Sequence, residues 1–160
     1  MNKVNVIIVM GSKSDLDHAN KIKAAAENFG LLVSMHVASA HKTAAHLIQL
    51  LEQYENISDA KVYVTIAGRS NALSGFVDGY VNAPVIACPP QSNAFGGADI
   101  FSSLRMPSGV APAVVLAPEN AALLAAKILS LHDESLLARV KEYKLRQIET
   151  ILSADKELND

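Results

Sequence analysis

Val4-Asn5-Val6-Ile7-Ile8-Val9-Met10, followed at once by Gly11-Ser12-Lys13-Ser14-Asp15, decides how the rest of this chain is read. The first run is almost unbroken apolar and β-branched, the pattern of a strand covered on both faces of a parallel sheet. A glycine- and serine-rich turn then opens a helix. Leu16, Ala19, Ile22, Ala26 and Phe29 recur at helical spacing, with Asp17, Lys21, Lys23 and Glu27 on the other side. Gly30 stands where a left-handed residue would end that helix.

The alternation continues outward. Leu31–Val37 sets Leu31, Val33, Met35 and Val37 against Leu32, Ser34 and His36, which predicts an edge strand with one wetter face. A helix over about Thr43–Asn56 carries Ala44, Leu47, Ile48, Leu51 and Tyr54 as its stripe. Lys61–Ala67, Val85–Cys88 and Ala113–Leu116 read as further strands, and Ala72–Val81 as a shorter helix. Pro89–Pro112 is long and irregular, with one helical turn near Ile100–Leu104. Loops of that length in compact domains are usually functional or mobile. Strand–helix alternation implies parallel strands joined by right-handed crossovers. The expected fold is therefore α/β, a flavodoxin-like three-layer sandwich over a single domain, residues 1–160, with a five-stranded sheet in the order 2-1-3-4-5.

Two closing helices carry a separate message. Glu119–Leu131 is apolar almost all the way round, and its alanines would let another helix approach closely. Glu134–Leu152 then follows after the sheet is complete, an additional C-terminal helix bearing Leu136, Val140, Tyr143, Ile148 and Ile151. Together they predict that the helix and tail over 133–160 lie in subunit contacts and that the protein is a homo-oligomer.

Composition excludes several classes. Half of the 160 residues are hydrophobic and 19% are charged, which argues against disorder. A net charge of −2 offers no general attraction to nucleic acid or to an acidic membrane. One cysteine allows no internal disulfide and suits a reducing, cytoplasmic setting. No signal peptide or membrane-spanning stretch is expected.

In an open parallel sheet, ligands bind beyond the carboxyl ends of the strands, where the strand order reverses. Three turns fall there. In Gly11–Asp15, backbone N–H groups at a helix start suit an anion, and the Asp15 carboxylate suits sugar hydroxyls; Ser14 or Asp15 capping the helix is the plainer alternative. In Ser39-Ala40-His41-Lys42, Ser39 and Lys42 suit a phosphate and His41 is the natural proton carrier near neutrality. The plainer reading of His41 is a turn histidine bonded to backbone. In Gly68-Arg69-Ser70-Asn71-Ala72-Leu73-Ser74-Gly75, donors and one fixed cation are combined with glycines that admit a close ligand. It matches neither a Walker loop nor a dinucleotide fingerprint. His36, His46, His18 and His132 read as structural, the last two on helix surfaces, and no histidine spacing suggests zinc. Cys88 reads as a buried, inert thiol.

Taken as an ordered set, Gly11-Ser12-Lys13-Ser14-Asp15, Ser39-Ala40-His41-Lys42, Ala67-Gly68 and Met106-Pro107-Ser108-Gly109-Val110 resemble the aminoimidazole ribonucleotide carboxylase/mutase family of purine biosynthesis. The resemblance runs from Val6 to Leu131. It implies a flavodoxin-like fold assembled as octamers or tetramers, sites near subunit boundaries, and neither metal nor organic cofactor. Carried across, it implies that Ser12 and Asp15, with Ser14 beside them, hold the ribose side of a nucleotide. Ser39 and Lys42 would hold its phosphate, Gly68, Arg69, Ser70 and Asn71 would line a carboxyl or carbon dioxide pocket, and His41 would be the general acid/base.

The mutase branch typically reads Ser-Ala-His-Arg and Ala-Gly-Gly-Ala-Ala-His-Leu-Pro-Gly. Here Lys42 replaces the arginine, Arg69-Ser70 replace small residues, and Ala72 stands where that branch has a second histidine. These departures are similar to the branch that adds free carbon dioxide to aminoimidazole ribonucleotide, with mutase action the alternative. A flavin-binding or phospho-receiver module is the non-enzymatic alternative; a receiver needs an acidic pair after strand one and an aspartate after strand three, where this chain has serine and arginine.

Overall fold

The computed structural model describes residues 5–159; Val4 and Asp160, which the sequence reading includes in the first strand and the tail, lie outside the described residues. Five parallel strands, β1 (Val6–Met10), β2 (Val33–Val37), β3 (Val62–Ile66), β4 (Val85–Ala87) and β5 (Ala113–Val114), form one sheet in the order β2-β1-β3-β4-β5. This is the predicted order. β1 and β3 are buried throughout, whereas every β2 residue keeps some exposure, as its alternating sequence and edge position require.

Helices cover both faces. α1 (Leu16–Asn28) and α5 (Pro118–Leu129) pack on the side reached by Val6, Ile8, Val62, Val64 and Ile86, while α2 (Ala44–Glu55) and α3 (Ala72–Tyr80) cover Ile7, Val9, Tyr63 and Val85. Alternate residues of one strand thus feed two cores, which is why each strand reads as a continuous apolar run.

The predicted need of α5 for cover is met within the chain. Ala121, Ala122, Ala125 and Ala126 are fully buried, and their small side chains let α1 approach. The second cover is α6 (Glu134–Asn159), whose Leu136 and Val140 reach the same core. α6 runs seven residues beyond the predicted end at Leu152, because Ser153–Asn159 contains no helix breaker. Beyond Tyr143 it touches no core: Leu145, Ile148, Ile151 and Leu152 are all more than half exposed.

The long connection after β4 is more ordered than its sequence suggests. A 3₁₀ segment over Ala94–Ile100 leads into α4 (Phe101–Leu104), interrupted where Phe95, Gly96 and Gly97 all have positive φ. Its far end is seated on α3. A Cβ at Gly75 would meet the Met106 sulfur at 3.0 Å, so this glycine admits protein and not, as the sequence suggested, a ligand.

Candidate active site

Strand register brings the three turns level. Met10 pairs with Val37 on one side and Ile66 on the other, so β1, β2 and β3 finish flush. The Gly11 N–H donates to Ile66 O (2.8 Å) and the Ala38 N–H to Met10 O (2.9 Å), extending the sheet into the turns. A Cβ at Gly11 would lie 3.5 Å from that of Ala67, so the first and third turns touch.

In the first turn, Ser12 caps a short 3₁₀ helix, Lys13–Asp15, by accepting from the Ser14 N–H (3.2 Å); the Ser14 hydroxyl also donates to Ser12 Oγ (2.9 Å). The sequence offers Ser14 or Asp15 as the cap of α1, but Asp15 at that position makes no side-chain cap bond, and the cap falls on Ser12 at the 3₁₀ turn ahead of it. Asp15 is left partly buried at the helix start, and burial pushes its carboxyl above the ordinary range against the opposing pull of the Ser12 N–H and His18.

In the second turn, Thr43 does what the sequence did not reveal. Its Oγ1 accepts from the Ser39 N–H (2.9 Å), its N–H donates to Ser39 O (2.9 Å), and its hydroxyl reaches the same carbonyl (3.3 Å). This closes the loop, tucks Ala40 against the core and leaves His41 and Lys42 projecting from the rim. His41 and Lys42 are exposed, and among the described residues neither has a hydrogen-bond or ion-pair partner in the chain. The backbone-bonded His41 of the plainer reading is therefore not what the fold contains.

The third turn is bolted to the chain after β4. Asn71 caps α3 by accepting from the Ser74 N–H (3.1 Å), and its amide donates to Ser74 Oγ (2.8 Å) and Ser103 Oγ (2.9 Å). Ser74 in turn bonds Thr65 (2.8 Å), so a buried polar chain joins β3, α3 and α4. The Asn71 side chain is spent on this network. Gly68 faces Pro90 at 3.5 Å and lines a cavity of about 290 Å³ with Gln91, Ser92, Asn93 and Asp99, beyond the ends of β3, β4 and β5. Arg69 and Ser70 line a shallower hollow on the other side of Asp99, with Phe95 and Ser102. Ser12, Ser14, Asp15, Ser39, His41 and Lys42 line neither.

His18 departs from its predicted place on a helix surface. It stands one turn before Ile22 on the stripe that continues to Ala26, a spacing that the sequence carried. The half-buried ring lies 3.3 Å (Nε2) from the Cys88 sulfur. Burial lowers its pKa, and Lys21 adds to that, while the Cys88 carbonyl, Asp15 and Glu119 oppose it. Cys88 is fully buried, and burial with Glu119 pushes its thiol up to about 12.

An α/β sandwich with three level turns at one rim and a cavity beyond the ends of β3, β4 and β5 is the arrangement of a protein that holds a small molecule at the carboxyl end of its sheet. The AIR carboxylase family model matches residues 5–150, and the chain belongs to that family. It is 54% identical over 153 residues to phosphoribosylaminoimidazole carboxylase of Treponema denticola, covering 96% of each chain. It is 52% identical to the protein of that name from Archaeoglobus fulgidus, covering 97% of this chain and 85% of that one. A crystal structure of Treponema denticola PurE superposes with a TM-score of 0.97 at 52% identity, covering 99% of this chain and 100% of that one.

Proposed function

We propose that this protein catalyses the reversible carboxylation of 5-aminoimidazole ribonucleotide by carbon dioxide, giving 4-carboxy-5-aminoimidazole ribonucleotide in purine biosynthesis. The observation that carries this reading is the projecting, unpartnered His41 between Ser39 and Lys42, level with a third turn whose Ala72 replaces the second histidine of the mutase pattern.

The chemistry follows from the substrate. The aminoimidazole ring is enamine-like, so its ring carbon is nucleophilic without biotin or ATP. That carbon attacks carbon dioxide, forming one carbon–carbon bond and leaving a tetrahedral centre that bears both hydrogen and carboxylate. His41 takes the hydrogen as a proton, the electron pair returns to the ring, and aromaticity is restored; the reverse reaction returns the proton. Ser12, Ser14 and Asp15 hold the ribose side, Ser39 and Lys42 the phosphate, and Gly68, Arg69 and Ser70 the carbon dioxide; Asn71, expected from the sequence to join them, braces the turn instead, its amide spent on Ser74 and Ser103. The protein contributes placement and one base.

The working form is a homo-oligomer, octamer or tetramer, in the cytoplasm, with residues 133–160 in subunit contacts. The exposed apolar row of Leu145, Ile148, Ile151 and Leu152 supports this, and no helix among the described residues is long and apolar enough to cross a membrane. A monomeric mass by light scattering contradicts the assembly.

One assay tests the reaction. Purified protein, without ATP, should make product from aminoimidazole ribonucleotide in proportion to dissolved carbon dioxide. Turnover of the N-carboxylated nucleotide with indifference to carbon dioxide would assign the mutase reaction instead.

A further inference from the structure

We infer that Asp99 is a positioning residue for the carbon dioxide pocket, its carboxylate holding Arg69 in a left-handed backbone conformation that shapes the 68–71 turn. This rests on the assignment of that turn to carbon dioxide made above.

Arg69 has φ +56°, and apart from Phe95 no other non-glycine among the described residues has a positive φ. A long side chain is rarely found there, and such a residue persists only where its surroundings over-determine it. The surroundings here come from thirty residues further on. Asp99 Oδ2 accepts from the Arg69 N–H (3.1 Å). The Ser102 hydroxyl accepts from the Asn71 N–H (2.9 Å) and lies 3.0 Å from Arg69 O and 2.7 Å from Asp99 O, where it can donate. The Asn71 cap fixes the chain from residue 71 onward but does not determine φ at residue 69. Asp99 does, because it receives the N–H that a left-handed Arg69 turns toward it.

The consequence is chemical. The Arg69 and Asn71 N–H groups are committed to Asp99 and Ser102, so among the described residues the Ser70 N–H between them is the backbone donor of this stretch with no partner in the chain. Carbon dioxide enters neutral and acquires a full negative charge as the carbon–carbon bond forms, so the Ser70 N–H and the Arg69 guanidinium, once fixed in place, favour the developing carboxylate. Asp99 also lines the neighbouring cavity, and its bond to the Arg69 N–H joins the wall of that cavity to the turn.

The test is a double-mutant cycle of Asp99→Ala with Arg69→Gly, alongside Asp99→Asn. D99A should raise the KM for carbon dioxide about tenfold while leaving that for the nucleotide within about twofold. D99N, which keeps an acceptor oxygen, should recover most of the loss. In the R69G background D99A should shift the carbon dioxide KM by less than about twofold, because glycine takes a left-handed φ unaided. The inference is overturned if D99A leaves the carbon dioxide KM unchanged, or if its effect is as large in the R69G background. Thermal midpoints of the same four proteins read the cycle without activity. A D99A drop that disappears in the R69G background supports the inference even if wild-type protein makes no product, and a drop that persists there refutes it.

Discussion

His18 Nε2 lies 3.3 Å from the sulfur of Cys88, tying the first turn of α1 to the end of β4. A thiol beside an imidazole commonly reads as an activated nucleophile, but here burial dominates. With the thiol pushed up to about 12, its thiolate fraction at pH 8 is about a thousandfold below that of an ordinary cysteine. Iodoacetamide should leave Cys88 unmodified in folded protein and label it in denaturant; rapid labelling of folded protein at pH 8 contradicts this.

Acid should weaken the fold through two histidines. Burial is the main reason that His18 and His36 titrate below the ordinary imidazole range, with Lys21 adding at His18 and His46 at His36. Their lowered folded pKa means the unfolded chain binds the proton first. Their contribution is therefore complete above about pH 6.5 and is lost as pH falls below it. The thermal midpoint should drop between about pH 7.5 and about pH 5.5, and the H18N/H36N double variant should flatten that slope. A midpoint that rises on acidification refutes the argument.

Substitution of His41 by asparagine should lower turnover by about a hundredfold or more while nucleotide affinity and oligomer mass stay unchanged. Lys42→Ala should do the opposite, weakening nucleotide binding first. Steady-state kinetics with a direct nucleotide titration separate the two, and wild-type turnover in H41N removes His41 from the mechanism.

Asn71→Ala should be the most damaging of the rim substitutions for stability. It removes the α3 cap and leaves Ser74 and Ser103 short of partners in a buried site. The cost should be about 2–3 kcal/mol, a midpoint lower by roughly 5–10 °C. A loss within about two degrees would mean that water replaces the amide.

The sheet was legible because its signals are local. The Val6–Met10 run, the alternation of Leu31–Val37 and the turn after each strand each reflect a neighbour only a few positions away. The same holds for Ser39, His41 and Lys42, which sit in a turn visible as a turn. Asp99, Ser102 and Ser103 act on Arg69 and Asn71 from about thirty residues away in an aperiodic segment, where no spacing marks a polar residue as an anchor. Thr43 read as a helix start, and only the fold shows it closing the Ser39 turn. His18 carries its own signal, since its i, i+4, i+8 relation to Ile22 and Ala26 sets it on the buried stripe although its polarity predicts a helix surface.

Because β1, β2 and β3 end in step at Met10, Val37 and Ile66, the three turns of the candidate site are separate stretches of chain on one level mount. Replacing a histidine by Ala72 or introducing Arg69 rewrites one stretch without disturbing the mount beneath the others.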